Sequence, residues 1–201
     1  RGRPAVVVQP REIQGVIENL NMSQHRGDTL WARDYIFGIE KDYRLARISK
    51  IACFLNGAGN ANIIYGDGLE GREELGEPES FDILIANPPY SIKDFKQHLH
   101  LKRNSFDLLQ YLSESASEIE TLFVERIHQL LKPGGMAGII LPSSILSNSG
   151  IYTRAREVIL KNFHIRAIVE LGGQTFIATN TNTVILFLQK HFNGDSQHFA
   201  Y

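Results

Sequence analysis

The chain has 201 residues, 43% of them hydrophobic and 21% charged, which suits one globular α/β domain with a full core. A net charge of -1 argues against a self-sufficient nucleic-acid binder, and a single cysteine, Cys53, excludes an internal disulfide framework or a Cys-rich zinc site. No apolar run has the length of a membrane span and Arg1-Gly2-Arg3-Pro4 lacks the apolar core of a secretion signal, so the expectation is a cytoplasmic protein with no membrane partner.

Residues 1–34 read as a lead-in of undefined structure, in which 5–8 offer a short strand. Residues 35–40 read as a strand, and Asp42 as the N-cap of a helix in which Leu45, Ile48, Ala52 and Leu55 recur at helical spacing before Gly57 and Gly59 end it. Residues 62–65 form a second strand. Residues 81–86 form a third, apolar enough to be central in its sheet. The stretch 91–117 is polar and irregular, and loops of that length in compact domains are usually functional or disordered. A helix follows over about 118–131, with Ile119, Leu122, Phe123, Ile127 and Leu130 as its buried stripe and Pro133-Gly134-Gly135 as its stop. Then come a strand at 136–141, a helix at 152–162 and strands at 165–171 and 183–188. No helix separates the last two, which implies an antiparallel edge hairpin. Alternating strands and amphipathic helices predict a mostly parallel sheet covered on both faces. With the edge hairpin, the expectation is a three-layer α/β sandwich whose arrangement resembles the class I S-adenosylmethionine-dependent methyltransferase (Rossmann-like) fold.

The sharpest motif is Asn87-Pro88-Pro89-Tyr90, directly after the third strand. Ligands of open α/β sheets bind at the carboxyl ends of strands. The two prolines fix their own φ and restrict the residue before each, so Asn87 is held extended in a rigid segment rich in acceptors. Such a segment suits an exocyclic amine, whose lone pair is delocalised into its ring. The Asn87 side-chain oxygen and the Pro88 carbonyl can accept its two N–H groups, favouring a more tetrahedral nitrogen by orientation and electrostatics. Tyr90 offers an aromatic face for a flipped base. A plain Pro-rich turn after a buried strand is the competing reading.

On these residues the chain resembles the adenine-N6 DNA methyltransferases, the methylase subunits of type I restriction-modification systems among them. The resemblance runs over about 35–190, taken as a partial catalytic domain, with 191–201 as a tail. It includes Phe37-Gly38-Ile39-Glu40-Lys41-Asp42, Gly66-Asp67-Gly68-Leu69, Leu131-Lys132-Pro133-Gly134-Gly135 and the run from Phe176 to Leu186. It implies S-adenosylmethionine as cofactor, DNA as substrate, and a specificity subunit or target-recognition domain outside this chain. It implies that Glu40 accepts from the cofactor's ribose hydroxyls and Asp67 from its adenine amine. Phe123 matches a position that packs on that adenine, and Phe176 one that stacks on the target base opposite Tyr90. Core packing is an equal reading of Phe123, a strand-end charge of Glu40, an Asp-Gly turn of Asp67, and local packing of Phe176. The resemblance also implies a Gly-rich donor loop and a first strand upstream of Glu40. Gln9-Pro10-Arg11-Glu12 follows 5–8 with no glycine cluster, so both are expected to be missing.

His98, His100 and His128 have no metal-ligand spacing, and Ser143-Ser144 lacks a nucleophile elbow, so no metal is expected and a hydrolase is disfavoured. Positive charge is local, at Lys93, Lys96, Lys102 and Arg103, and the stretch 93–103 reads either as a DNA-backbone contact or as a solvated loop. Two other functions stay open: methylation of another amine, in protein glutamine or RNA guanine, and a non-catalytic relative that binds DNA or a partner.

Overall fold

A computed structural model of the protein describes residues 31–70, 77–101, 105–172, 175–176 and 181–193. The expected strand at 5–8, Lys102, Arg103 and most of the tail lie outside them. The chain divides into two compact units, Arg1–Gly68 and Leu69–Tyr201.

In the first unit a short helix α1 (Trp31–Tyr35) leads into β1 (Phe37–Glu40), then α2 (Tyr43–Leu55) and β2 (Asn62–Tyr65). The first strand therefore begins two residues later than the apolar pattern predicts, because the Ile36 N–H still bonds back to the Ala32 carbonyl (3.0 Å). Asp42 caps α2 as expected: its Oδ1 accepts from the Arg44 (2.8 Å) and Leu45 (3.1 Å) N–H groups. Those bonds hold its carboxyl below the usual value. Gly57, at φ 80°, takes the left-handed conformation that ends such a helix. β1 and β2 pair in parallel, with Glu40 opposite Tyr65. Of α2 only Ala46 is buried; Leu45, Ile48, Ala52 and Leu55, whose spacing predicts a covered face, are exposed.

The second unit holds β3 (Phe81–Ala86), α3 (Glu120–Leu130), β4 (Leu131–Pro142), α4 (Ser144–Ser147), α5 (Ile151–Asn162), β5 (Phe163–Glu170) and β6 (Thr183–Lys190). Its strands run in the order β3-β4-β6-β5, with β3 parallel to β4 and the other pairs antiparallel. The expected edge hairpin is thus β5–β6. Among the described residues β3 ends this sheet and has one neighbour, β4, where the apolar pattern predicts a central strand; Ile83 and Ile85 are 60% and 86% exposed. Its apolarity signals burial on both faces, but only Phe81, Leu84 and Ala86 pack against the core.

β4 starts at Leu131, not at 136, so Pro133-Gly134-Gly135 lies within the strand instead of separating it from the helix. The pairing absorbs this by a register shift, Phe81 lying opposite Leu131 and Ile83 opposite Met136. The core joins Leu122 and Ile127 of α3 to Ile139 and Leu141 of β4 and Leu186 and Leu188 of β6. The 91–117 stretch contributes to that core as well. Phe95, Phe106, Leu108 and Leu112 are buried, and two 3-10 turns, Phe95–His98 and Leu108–Tyr111, shape the stretch. Reading it as a polar loop misses this, because its apolar residues follow no regular period. At the far end of β6 the buried Lys190 Nζ donates to Glu79 Oε1 (2.6 Å) and to the His128 (2.7 Å) and Leu131 (2.9 Å) carbonyls. That bonds the strand end to the end of α3.

Candidate active site

Asn87 leaves β3 at its carboxyl end, one residue after Ala86, which pairs with Ile139. Asn87 and Pro89 are exposed, Pro88 is buried and Tyr90 is half-buried. The segment folds back on itself: Tyr90 Oη donates to Asn87 Oδ1 at 2.8 Å. The Tyr90 ring meets Phe176 edge to face, with centroids 6.4 Å apart. Asn87, Tyr90 and Phe176 are therefore brought together in the second unit, although Phe176 is 86 residues further along the chain than Tyr90. Burial, reinforced by the negative charge of Glu120, pushes the Tyr90 hydroxyl up to about 12, so it is a hydrogen-bond donor across the neutral range. Phe123 is half-buried and packs against the core of its unit.

Two buried carboxylates hold the backbone behind this motif, and neither stands out in the sequence as a candidate. Glu120, in the first turn of α3, is fully buried; its Oε2 accepts from the Ser91 N–H (3.2 Å) and its Oε1 from Tyr152 Oη (2.8 Å). Glu125 accepts from the Asp107 and Leu108 N–H groups, both at 2.9 Å. Burial raises both carboxyls above their usual value against the lowering effect of these bonds. The signal that could have found Glu120 is its place in the pattern. It lies four residues before Val124 and seven before Ile127, on the face that the helix buries.

In the first unit, Glu40 ends β1 and Asp67 follows β2, so the parallel pairing puts both carboxylates at the same end of adjacent strands. The Gly66 N–H bonds the Glu40 carbonyl (3.0 Å). Glu40 Oε1 accepts from the Asp42 N–H (2.8 Å), which fixes the side chain at the strand end. Asp67 is only 8% exposed, and its Oδ2 accepts from Lys41 Nζ at 2.6 Å, a partner that the sequence does not announce. Two oriented acceptors on neighbouring strand ends fit the hydroxyl and amine donors of a nucleoside.

Lys96, one of the local positive charges, is engaged: its Nζ donates to the Leu112 carbonyl and to Glu114 Oε1, both at 2.9 Å. Among the described residues no group of three His, Cys, Asp or Glu side chains is placed to hold a metal ion, and no helix is long and apolar enough to cross a membrane.

Solved structures share this architecture. The M protein of the type I restriction enzyme EcoKI superposes with a TM-score of 0.63 at 22% identity, covering 87% of this chain and 35% of that one. A Listeria monocytogenes protein, described as a class I S-adenosylmethionine-dependent methyltransferase, superposes with a TM-score of 0.60 at 22% identity, covering 81% of this chain and 46% of its own. The fold is that of the class I S-adenosylmethionine-dependent methyltransferases. A model of the family N-6 DNA Methylase matches residues 16–199, and the chain belongs to that family. The Escherichia coli type II restriction enzyme and methyltransferase RM.Eco57I is 26% identical over 197 residues, 82% of this chain but 19% of the relative. The EcoKI methylase subunit of E. coli K12 is 23% identical over 158 residues, 76% of this chain and 28% of the relative. The chain thus spans less than a third of either relative's length.

Proposed function

We propose that the protein takes part in transferring a methyl group from S-adenosylmethionine to the N6 amine of adenine in DNA, as a restriction-modification methylase or a catalytic portion of one. The observation that carries this reading is the segment after β3, where Asn87 Oδ1 and the rings of Tyr90 and Phe176 converge. Membership of the N-6 DNA methylase family supports it.

In this reading Asn87 Oδ1 and the Pro88 carbonyl accept the two N–H groups of the target amine and draw its lone pair out of conjugation. The amide of Asn87 is no base; it orients and stabilises charge. Tyr90 Oη occupies one of the two lone pairs of Asn87 Oδ1 and leaves the other for the amine, while the Tyr90 and Phe176 rings offer faces on which the base can stack. Bound S-adenosylmethionine supplies an electrophilic methyl group. Glu40 and Asp67 of the first unit are assigned to hold its ribose and adenine. We take 35–190 as the catalytic domain. DNA recognition is assigned to a specificity subunit or domain beyond these 201 residues, consistent with the charge of -1, and the protein to the cytoplasm, where its DNA would be.

The test pairs calorimetric titration with S-adenosylmethionine and tritiated methyl transfer to unmethylated DNA. It uses this chain beside a version extended upstream through a Gly-rich loop. Asn87→Ala in the active form is expected to lower transfer by at least about 10²-fold with an unchanged melting temperature, the scale of losing one oriented transition-state hydrogen bond. An Asn87→Ala protein as active as the parent would remove the mechanism.

A further inference from the structure

Pro88 and Pro89 have no N–H, so the Asn87–Tyr90 segment offers few main-chain donors by which the protein could fix it. At its start it is held by the β3–β4 ladder, through Ala86 and Ile139. At its exit the first residue is Ser91, at φ 52°, a left-handed conformation that is unfavourable for a non-glycine residue and persists only where neighbours enforce it. The neighbour here is Glu120, whose Oε2 accepts the Ser91 N–H while Tyr152 of α5 donates to Oε1. Burying a carboxylate for packing alone is unfavourable, since an apolar side chain of similar volume does as well or better. A fully buried Glu that reaches out to the residue after the motif therefore points to a requirement of position. The two prolines fix φ at 88 and 89, which leaves the segment fewer dihedrals with which to absorb a displacement at Ser91 before it reaches Asn87.

Resting on the reading above, we infer that Glu120 is a positioning residue, which sets the reach of Asn87 by anchoring the Ser91 main chain and is itself oriented by Tyr152. It touches neither substrate nor cofactor in this scheme.

The experiment compares Glu120→Leu, Glu120→Gln and Tyr152→Phe with the parent in the form of the protein that transfers methyl groups. It reads kcat and KM for DNA and for S-adenosylmethionine, and hydrogen exchange of the Ser91 amide by NMR. Glu120→Leu fills the volume without an acceptor. It is expected to lower kcat by about 10²-fold, the scale of an ångström-level misplacement, with both KM values little changed and the Ser91 amide exchanging faster. Glu120→Gln keeps an oxygen for Ser91 and is expected to restore most of that loss. Tyr152→Phe removes one hydroxyl from a packed ring and is expected to fall between them, which keeps the inference testable if the Leu variant does not fold. Leu and Gln variants of equal kcat, or Ser91 exchange unchanged in Tyr152→Phe and the Leu variant alike, would overturn it. A parent that binds S-adenosylmethionine yet transfers nothing to DNA would defeat the reading of the preceding subsection, and Ser91 exchange would still decide the anchor by itself.

Discussion

Tyr90 does two things that separate cleanly by mutation. Its hydroxyl occupies Asn87 Oδ1, and its ring faces Phe176. Tyr90→Phe keeps the ring and leaves the acceptor open, so methyl transfer is expected to persist. Tyr90→Ala loses the stacking face and is expected to cost about 1–3 kcal/mol in kcat/KM, the scale of one base–aromatic stack. Side-by-side transfer kinetics check this: equal losses in both variants would assign the role to the hydroxyl. Residues whose value lies in backbone stiffness and aromatic area are visible in a sequence, and Asn87 to Tyr90 is of that kind. Glu120 is not. A glutamate in the first turn of a helix looks like an ordinary solvated charge, and only its alignment with Val124 and Ile127 gives it away.

The long stretch after the motif is held to α3 at both of that helix's acidic positions, by Glu120 at Ser91 and by Glu125 at Asp107 and Leu108. Glu125→Ala strands two amides and is expected to destabilise the fold by about 1–3 kcal/mol, measured by urea unfolding. Burial raises both carboxyls above 4.5. Between 4.5 and the folded values the folded chain therefore binds more protons than the unfolded chain. Their contribution to stability falls as pH rises through that window, and their full penalty is present above it. Glu120→Gln cannot titrate, and its unfolding free energy is expected to fall less steeply with rising pH than the parent's. A parent and variant with parallel pH curves would contradict the burial argument. At this scale most elements were legible from their periods, and the misses have causes. β4 begins at Leu131 because Phe81 of the parallel neighbour pairs with that residue, and the Pro-Gly-Gly run that signals a turn is taken up in the register shift before Met136. The stripe on α2 predicts cover, and periodicity reports only that a face is apolar, never that something lies against it.

Across the whole chain, charge is nearly balanced, and Lys96, one of the cations in the stretch after the motif, is spent on Glu114 and the Leu112 carbonyl. DNA binding by these residues alone is expected to be weak and shallow in salt. Each phosphate contact adds about -0.9 to the slope of log K against log salt, and a slope steeper than about -3 in a fluorescence-anisotropy titration would contradict the expectation drawn from so balanced a charge. The exposure of Ile83 and Ile85 on β3 belongs to this scale too. The apolar run names a strand that wants neighbours on both sides, and only the assembled sheet tells which sides have them.

Both tethers on α3 grip main-chain N–H groups, and the side chains of Ser91 and Asp107 point to solvent. Identity at these two positions is therefore free to drift over evolutionary time while the grip stays the same. Proline is the one general exception, and glycine, asparagine and aspartate are the favoured replacements at 91, where φ is positive. A stretch anchored in this way can change its exposed chemistry from one descendant to the next without disturbing the motif that it leaves.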